Sequence, residues 1–330
     1  MNDLAIIVIS TNEAEWLRPC LTSVYEHAAG VDLDVVVADN MSTDGTADLV
    51  RDEFPNARTV LCENHGFAHA NNRALMTTNA RYVLFLNPDT EVVEGSFEEL
   101  IALLDDRPGV GVVGVRQLTT DDELYPTMRR FPNAMRALGE AIGSERLPFK
   151  APWLGERVLE LDLYDREFAA DWTAGSFIVC RREALESAGY FDERFFIYSE
   201  ETDMCLRIKN SGWAIHHLPV MTIRHHFDRS RYNPRREAQR AYACRHYAEK
   251  NFSPVHRALY LGAVALRYSI RSVLPGESEE RRQRRTGSRA GLAALAGLRP
   301  PPYGEPPHQA VAIRSEPAPP DDDSPDRASA

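Results

Sequence analysis

The chain has 330 residues, 43% apolar and 26% charged, with 38 lysines and arginines against 49 aspartates and glutamates, a formal net charge of −11. That apolar fraction supports a large core and excludes collagenous and wholly disordered chains. The acidic balance opposes a dedicated nucleic-acid binder, which needs a cationic face against phosphate. Five scattered cysteines (Cys20, Cys62, Cys180, Cys205, Cys244) form no C-x-x-C pair, which argues against a disulfide framework or a structural zinc site and fits a reducing compartment. The N-terminal MNDLAIIVIS lacks a basic region and its apolar run is short for a signal segment. No stretch reaches the roughly 20 apolar residues that span a bilayer. A cytoplasmic protein, soluble or peripheral at the inner face of the membrane, is expected.

Leu4–Ile9 is a continuous apolar run ended by Ser10-Thr11-Asn12, and a helical period follows through Trp16, Leu17, Cys20, Leu21 and Val24. Val35–Ala38 is a second run, closed by Asp39 and followed by a turn and helix from Ser42-Thr43-Asp44-Gly45-Thr46. A third strand is expected near Arg58–Cys62 with a helix over Ala68–Thr77, and a fourth strand at Tyr82–Leu86 stops at Asn87-Pro88-Asp89. Short buried strands alternating with helices predict βαβ units and a mostly parallel sheet. Ligands of such sheets bind beyond the carboxyl ends of the strands, where each of these polar clusters falls. The pattern then turns mixed: strands at Gly111–Arg116, Phe177–Cys180 and Ala214–Leu218, a helix over Thr202–Asn210, and a loop-rich insertion at Arg129–Phe168. A helix is predicted over Pro254–Leu274, with Leu259, Leu266 and Ile270 on one face and Arg257, Arg267 and Arg271 beside it. After Pro275 the Arg-, Ala-, Pro-, Ser- and Asp-rich composition predicts disorder. The expected organisation is a main domain over 1–252, a helix over 253–274 and a disordered tail over 275–330.

Gly109-Val-Gly111-Val-Val-Gly114 spells the dinucleotide fingerprint, yet it follows a helical pattern and itself reads as strand, so no helix N-terminus would face a pyrophosphate. These glycines are read as turn and packing residues. Asp39, ahead of S-x-D-G-T, fits both a strand end before a helix cap and a carboxylate accepting from a base or ribose. In Asn64-His65-Gly66-Phe67-Ala68-His69-Ala70-Asn71-Asn72, Gly66 permits close backbone approach to a ligand and the helix start offers N–H groups to phosphate. A polar helix start with surface asparagines explains the same residues. Asp89, behind Pro88, is placed to hold Mg²⁺ or Mn²⁺ bridging a diphosphate, within an Asx/Pro turn.

Glu200, Glu201 and Asp203 follow Phe195-Phe196-Ile197-Tyr198 at a loop-to-helix junction. Helix initiation accounts for acids there, while an apolar wall would raise one of them towards general-base strength. Trp172 and Gly175 offer a flat platform for a sugar ring, or a core tryptophan and its turn. His225 is the available partner for Asp89 at a metal.

Together these segments resemble the family-2 glycosyltransferases, inverting enzymes of GT-A fold, from about Leu4 to Phe252. The matching pieces occur in order: Ser10-Thr11-Asn12-Glu13, VVVADNMSTDGT at Val35–Thr46, ENHGFAHANN at Glu63–Asn72, LNPDT at Leu86–Thr90, DWTAGSFIVCRREAL at Asp171–Leu185, FFIYSEETDMCLR at Phe195–Arg207, and H-x-x-x-x-S from His225 to Ser230. The resemblance implies an α/β fold with a mixed, mostly parallel central sheet flanked by helices, and a nucleoside-diphosphate sugar as donor. It implies that Thr11, Glu13 and Asp39 hold the base and ribose, and that Asn64, Gly66 and Asn71 line the donor site. Asp89 corresponds to the last acid of the D-x-D metal motif, whose first acid is replaced by Asn87, as in the rhamnosyltransferase-like branch. His225 corresponds to the histidine near metal and diphosphate. Glu201 stands where the family has its catalytic base, with Asp203 as the fallback, and Trp172, Gly175 and Glu200 face the acceptor and sugar.

The donor implied by the branch is dTDP-rhamnose and the acceptor a surface glycan or lipid-linked saccharide. Nucleotidyl transfer is the second enzymatic reading, but it wants a Gly-rich, basic loop after the first strand, which Thr11–Arg18 is not. A carbohydrate-binding or scaffold protein of the same fold is the third, and the retained acids oppose it. The Arg- and His-rich Arg224–Arg257 and the helix after it fit two readings, packing of that helix on the main domain and peripheral contact with an anionic membrane.

Overall fold

The computed structural model describes residues 1–144, 151–226 and 233–304. Its first half is a βα alternation: β1 (Leu4–Ser10), α1 (Ala14–Glu26), β2 (Leu33–Asp39), α2 (Thr46–Glu53), β3 (Ala57–Leu61), α3 (Phe67–Leu75), β4 (Tyr82–Leu86), β5 (Thr90–Glu94) and α4 (Phe97–Asp105). The chain continues through β6 (Val110–Leu118), β7 (Met128–Arg129), α5 (Ala134–Ile142), β8 (Phe168–Ala169), β9 (Trp172–Thr173), β10 (Phe177–Arg181), α6 (Arg182–Ala188) and α7 (Glu200–Asn210). It closes with β11 (Ala214–His225), α8 (Pro234–Asn251), α9 (Pro254–Val273) and α10 (Glu279–Leu295).

The main sheet runs β3-β2-β1-β4-β10-β6-β11-β5, with β8 on β11; β7 and β9 form a separate ribbon. The first four strands in this order are parallel, and β10 is antiparallel to both β4 and β6. β1 reads as an unbroken apolar run because both its faces are covered. Leu4, Ile6 and Val8 pack with Leu17, Leu21 and Leu100, while Ile7 and Ile9 share a cluster with Ala70, Ala74, Cys205 and Ile208. Ser10 pairs with Asp39 and Val8 with Leu86, so the polar segments after β1, β2 and β4 leave the sheet at one edge.

The G-x-G-x-x-G match runs from the turn before β6 into that strand, and its two strand glycines, Gly111 and Gly114, are packing residues. A Cβ on Gly111 would stand 2.7 Å from that of Trp213, and one on Gly114 would stand 2.4 Å from Thr173 Oγ1. β11 runs well past the predicted Leu218. Its register with β6 slips between His217 and Thr222, around Pro219, and then resumes to deliver His225. A proline cannot donate to the ladder, so the strand bulges there and the sequence reads as a strand end.

Two expectations need correction. The Arg129–Phe168 insertion contains α5, whose N-terminus is capped by Asn133 accepting from Arg136 N–H at 2.9 Å. Residues 279–295 of the predicted disordered tail form α10, which joins α8, α9 and Ala137 of α5 in a third apolar cluster. Composition misleads because α10 docks mainly by small residues, with Leu292 and Leu295 partly buried beside them. Gly287, Ser288, Gly291 and Ala294 are buried, and the Gly291 backbone lies against the Tyr268 ring. The rest of that tail, from 305, lies outside the described residues.

A Cβ at Gly291 would meet Tyr268 ring carbons at 3.0–3.1 Å. Gly291→Val is therefore expected to destabilise the chain by about 1–3 kcal/mol through overpacking, read from urea unfolding. A disordered segment would not respond to that substitution.

Candidate active site

At the sheet edge, Thr11 is exposed and Glu13, the residue before α1, is half-buried. Burial and the negative charge of Asp89 push the Glu13 carboxyl up to about 7, against the Thr11 N–H that it accepts and the charge of Arg236. Asp39 is buried at the end of β2, and its Oδ1 accepts from Ser42 N–H at 2.9 Å. The turn after it is tied to the turn after β1: Asn12 N–H donates to Ser42 Oγ, and Asn12 Oδ1 accepts from Thr43 N–H. Asn12 and Met41 take left-handed backbone to allow this. Asp44 accepts from Thr46 and Ala14 N–H groups, so it is the cap of this pair of turns.

The segment before α3 divides. Asn64 is exposed. Gly66, at φ +101, does make a close approach, but to protein: its missing Cβ would fall 2.2 Å from the Phe196 carbonyl oxygen, which accepts from Phe67 N–H at 2.7 Å. The expected approach of Gly66 to a ligand is corrected in that respect. Asn72 is structural, bound to the Phe191 backbone and to Glu193, which also receives His69. Asn71 donates to Phe67 carbonyl, and its buried Oδ1 has no partner.

Asp89 and His225 come together as expected, from the end of β4 and the end of β11. Asp89 Oδ1 is 2.9 Å from His225 Nε2, and His226 N–H donates to the Asp89 carbonyl. His225 is buried, with its Nδ1 3.1 Å from Gln117 Nε2, and Ser176 Oγ donates to Gln117 Oε1 at 2.6 Å. Gln117 and Ser176 thus fix the imidazole plane, a role the sequence reading missed. Their signals were a glutamine beside Arg116 at the end of an apolar strand and a serine inside the DWTAGSF match. With Gln117 Nε2–H donating to Nδ1, the imidazole hydrogen sits on Nε2 and points at Asp89, so the Asp89–His225 pair fits a hard divalent ion once the Gln117 amide turns over and its Oε1 accepts from Nδ1–H. Neighbouring ligands about 2.1 Å from an octahedral ion stand about 3 Å apart, and phosphate and water oxygens complete such a shell. Among the described residues no group of three or more His, Cys, Asp or Glu converges into a protein-only cage.

Glu200 and Glu201 open α7 after Tyr198 and Ser199, both left-handed at φ 75° and 67°. Such backbone costs on the order of 1–3 kcal/mol per residue, and persists where surrounding contacts over-determine it. Each glutamate has one buried carboxylate oxygen, Oε2, without a hydrogen-bond partner. Burial raises both carboxyls, most strongly Glu200, which also feels the charge of Glu201; nearby Arg129 and Arg240 moderate Glu201. Gly175 lies beside Glu201, where an added Cβ would be 3.8 Å from Oε1.

Asp203 is different. It is fully buried and its carboxylate is occupied by Arg207 Nε at 2.8 Å, Lys250 Nζ at 2.8 Å and Asn251 Nδ2 at 3.1 Å. This acid anchors α7 to α8 and has no oxygen to offer a substrate. Trp172 is half-buried, donates from Nε1 to the Arg130 carbonyl, and carries the Arg129 guanidinium 5.7 Å from its ring centroid. That cation stands on the proposed sugar platform and was not foreseen. Ser230, the end of the H-x-x-x-x-S pattern, lies outside the described residues.

A mixed sheet whose edge gathers a buried Asp39, an Asp89–His225 pair and a pair of unpartnered glutamates is the crevice of a nucleotide-sugar transferase fold. The profile described as Glycosyl transferase family 2 matches residues 5–169, and the chain belongs to that family. It is 31% identical over 206 residues to an N-acetylglucosaminyl-diphospho-decaprenol L-rhamnosyltransferase of Mycobacterium tuberculosis, covering 59% of this chain and 66% of that protein. It is 26% identical over 177 residues to rhamnosyltransferase WbbL of Escherichia coli, covering 50% and 64%. The chain thus spans just under two thirds of the length of these relatives. Among solved structures, a Pyrobaculum calidifontis mannosyltransferase in complex with GDP-Man and Mn²⁺ aligns over 90% of this chain and 88% of its own, with a TM-score of 0.52 at 18% identity. Staphylococcus aureus TarS in complex with UDP-GlcNAc aligns over 89% and 81%, with a TM-score of 0.52 at 17% identity. These likenesses establish the GT-A arrangement of sheet and helices.

The buried acids make stability depend on pH. Both Glu200 and Glu201 titrate above their ordinary 4.5 in the folded chain. The folded state therefore holds more protons than the unfolded one between 4.5 and the raised values, and stability falls as pH rises through that window. Glu200→Gln is expected to raise Tm by a few degrees at pH 8 and by less at pH 5, read by thermal unfolding. An equal gain at both pH values would show that burial of charge is not the cause.

Proposed function

We propose that the chain is an inverting glycosyltransferase that moves a sugar, rhamnose from a dTDP donor, to a hydroxyl of a lipid-linked or surface-glycan saccharide. The observation that carries this reading is Glu201: a carboxylate with a buried, unpartnered oxygen and a raised pKa, beside Gly175, in a family whose curated members here include rhamnosyltransferases. Thr11, Glu13 and Asp39 receive the nucleoside, with Asn64 and Asn71 at the rim of the donor site. Asp89 and His225 would hold Mg²⁺ or Mn²⁺ on the diphosphate, and an ion there supplies neutralisation of the charge that the leaving diphosphate gains.

Glu201 accepts the proton of the acceptor hydroxyl. The hydroxyl oxygen bonds to the anomeric carbon from the face opposite the diphosphate, while the bond from that carbon to the phosphate oxygen breaks and its electron pair leaves with the nucleoside diphosphate. One displacement inverts the centre. Burial raises Glu200 more strongly than Glu201, and the charge of Arg129 favours ionised Glu201, so Glu201 is the member of the pair suited to accept the proton. Arg129, over Trp172, orients acceptor hydroxyls or an acceptor phosphate.

The acceptor also needs a route from a membrane, and α9 supplies a surface. Its buried face is Tyr260, Ala263, Val264, Tyr268 and Ser272. Val255, Leu259, Leu266 and Val273 form a stripe 41–76% exposed, and α5 adds exposed Met135, Leu138 and Ile142. Residues 253–299 carry nine arginines against three glutamates in a chain of net charge −11. An apolar stripe flanked by arginine suits the interface of an anionic bilayer. No helix among the described residues is long and apolar enough to cross a membrane.

Thermal shifts with UDP-, dTDP- and GDP-sugars, with and without Mn²⁺, test the donor site: one nucleotide is expected to stabilise the chain in a metal-dependent way, and Asp89→Ala to abolish the shift. Glu201→Gln is expected to keep that shift while lowering transfer by about 10²- to 10⁴-fold, the usual range for a general base. No shift with any nucleotide at millimolar concentration would favour a non-catalytic carbohydrate-binding protein. In flotation with anionic liposomes the wild type is expected to float and Leu259→Glu/Leu266→Glu to remain in solution; a wild type that stays in solution defeats the membrane contact.

A further inference from the structure

The segment after α10 returns to the loop that carries the glutamates. Pro301 is buried, and Tyr303 stacks on Phe196 with ring centroids 5.6 Å apart and planes 8° from parallel. Arg235, in the first turn of α8, holds this segment in turn. Its guanidinium carbon is 5.2 Å from the Tyr303 centroid, and its Nη2 donates to the Pro302 carbonyl at 2.8 Å.

Phe196 is the residue on which both halves of the site meet. Its carbonyl accepts from Phe67 N–H and fills the space beside Gly66 on the donor side. Two positions later the chain enters the left-handed Tyr198–Ser199 pair that aims Glu200 and Glu201. The other aromatic rings of this loop are supported by α8: Phe195 by His246 at 4.7 Å and Tyr198 by Arg240 at 4.6 Å. The Phe196 ring is covered instead by Tyr303.

We propose that Tyr303 is a positioning residue for transfer, its ring clamping Phe196 so that the left-handed turn and the two glutamates keep one geometry, and that residues 301–304 therefore belong to the active site. A stack of this offset type contributes beyond simple area burial, and its effect falls on the loop it orders rather than on the global fold. The hydroxyl of Tyr303 takes no part, which makes phenylalanine the conservative replacement. The clamp serves the transfer reading given above, but its mechanical part can be tested without it.

The experiment uses the full chain as wild type, Tyr303→Ala and Tyr303→Phe. Hydrogen exchange is measured at the Phe67 amide and over 196–203, alongside kcat, acceptor KM and binding of whichever of UDP, dTDP or GDP stabilises the wild type. Tyr303→Ala is expected to speed exchange at those amides, lower kcat about tenfold and leave nucleotide affinity within twofold, with Tyr303→Phe restoring all three. Unchanged exchange and kcat in Tyr303→Ala would overturn the clamp. So would a loss of nucleotide binding and Tm in parallel with kcat, since that pattern marks general structural damage. A wild type that transfers no sugar defeats the transfer reading alone, and exchange over 196–203 still decides the clamp.

Discussion

Glu200 is buried and Glu201 half-buried at the first turn of α7, each with a buried oxygen that no protein group among the described residues satisfies. Ionised carboxylates in such surroundings lose hydration that protein contacts must replace, so the rest of the site is arranged around that deficit. The N-terminal dipole of α7 favours negative charge at this turn, and the charge of Arg129 works in the same direction on Glu201. Asp203, one turn into the same helix, takes the opposite solution: three donors occupy its oxygens. Removing one partner of such a buried network typically costs about 3–5 kcal/mol. Acids within four residues of one another therefore divide into an anchor, Asp203, and a pair that each keep an unpartnered oxygen, by the number of donors each meets.

The two substrate sides are joined through backbone rather than through long side chains. Ser176 carbonyl accepts from Asn87 N–H where β4 ends, its hydroxyl orders Gln117 behind His225, and the preceding Gly175 lies against Glu201. Phe196 does the same from the other direction, linking Gly66 and Phe67 to the turn before α7. Links made of main-chain hydrogen bonds at sheet edges have little freedom. In the proposed reaction, the residues that would hold the diphosphate and the residue that would act as base are in this way set in one frame before any substrate arrives, the condition for electrostatic preorganisation.

The parts of this arrangement that local pattern determines were legible in the sequence. β1, β2 and β4 are apolar on both faces, so their ends, and with them Asp39 and Asp89, fall where the runs stop. What was not legible depends on partners remote in the chain. Gly66 is glycine because Phe196 presses on it, so the inferred ligand approach named the right constraint and the wrong neighbour. Gln117 and Arg129 lie in strands where a polar residue alone says nothing about direction. α10 escaped because burial by Gly287, Gly291 and Ala294 leaves no hydropathy signal, although Ser278 caps its first turn. For α9 the periodicity showed an apolar face but not which face packs inward. Two tyrosines and two small residues pack inward while the leucines stay out, since Tyr268 needs the groove that Gly291 opens.

This packing leaves α9 with two apolar faces, one buried and one exposed. The inner face of α9 packs with α5, α8 and α10, and α8 in turn supports Phe195, Tyr198 and Asp203 behind the reactive pair. In the proposed orientation the outer face meets lipid, and charge decides which way the molecule turns. An anionic surface attracts the arginine-rich 253–299 and repels the acidic remainder, a torque that acts within about a Debye length before apolar contact begins. The helix that would touch the bilayer is thus separated from the catalytic loop by one helix, α8, and is linked to it again through α10 and Tyr303. Docking and alignment of the glutamates then draw on the same packed unit, so a lipid-linked acceptor would be met by a base already in place.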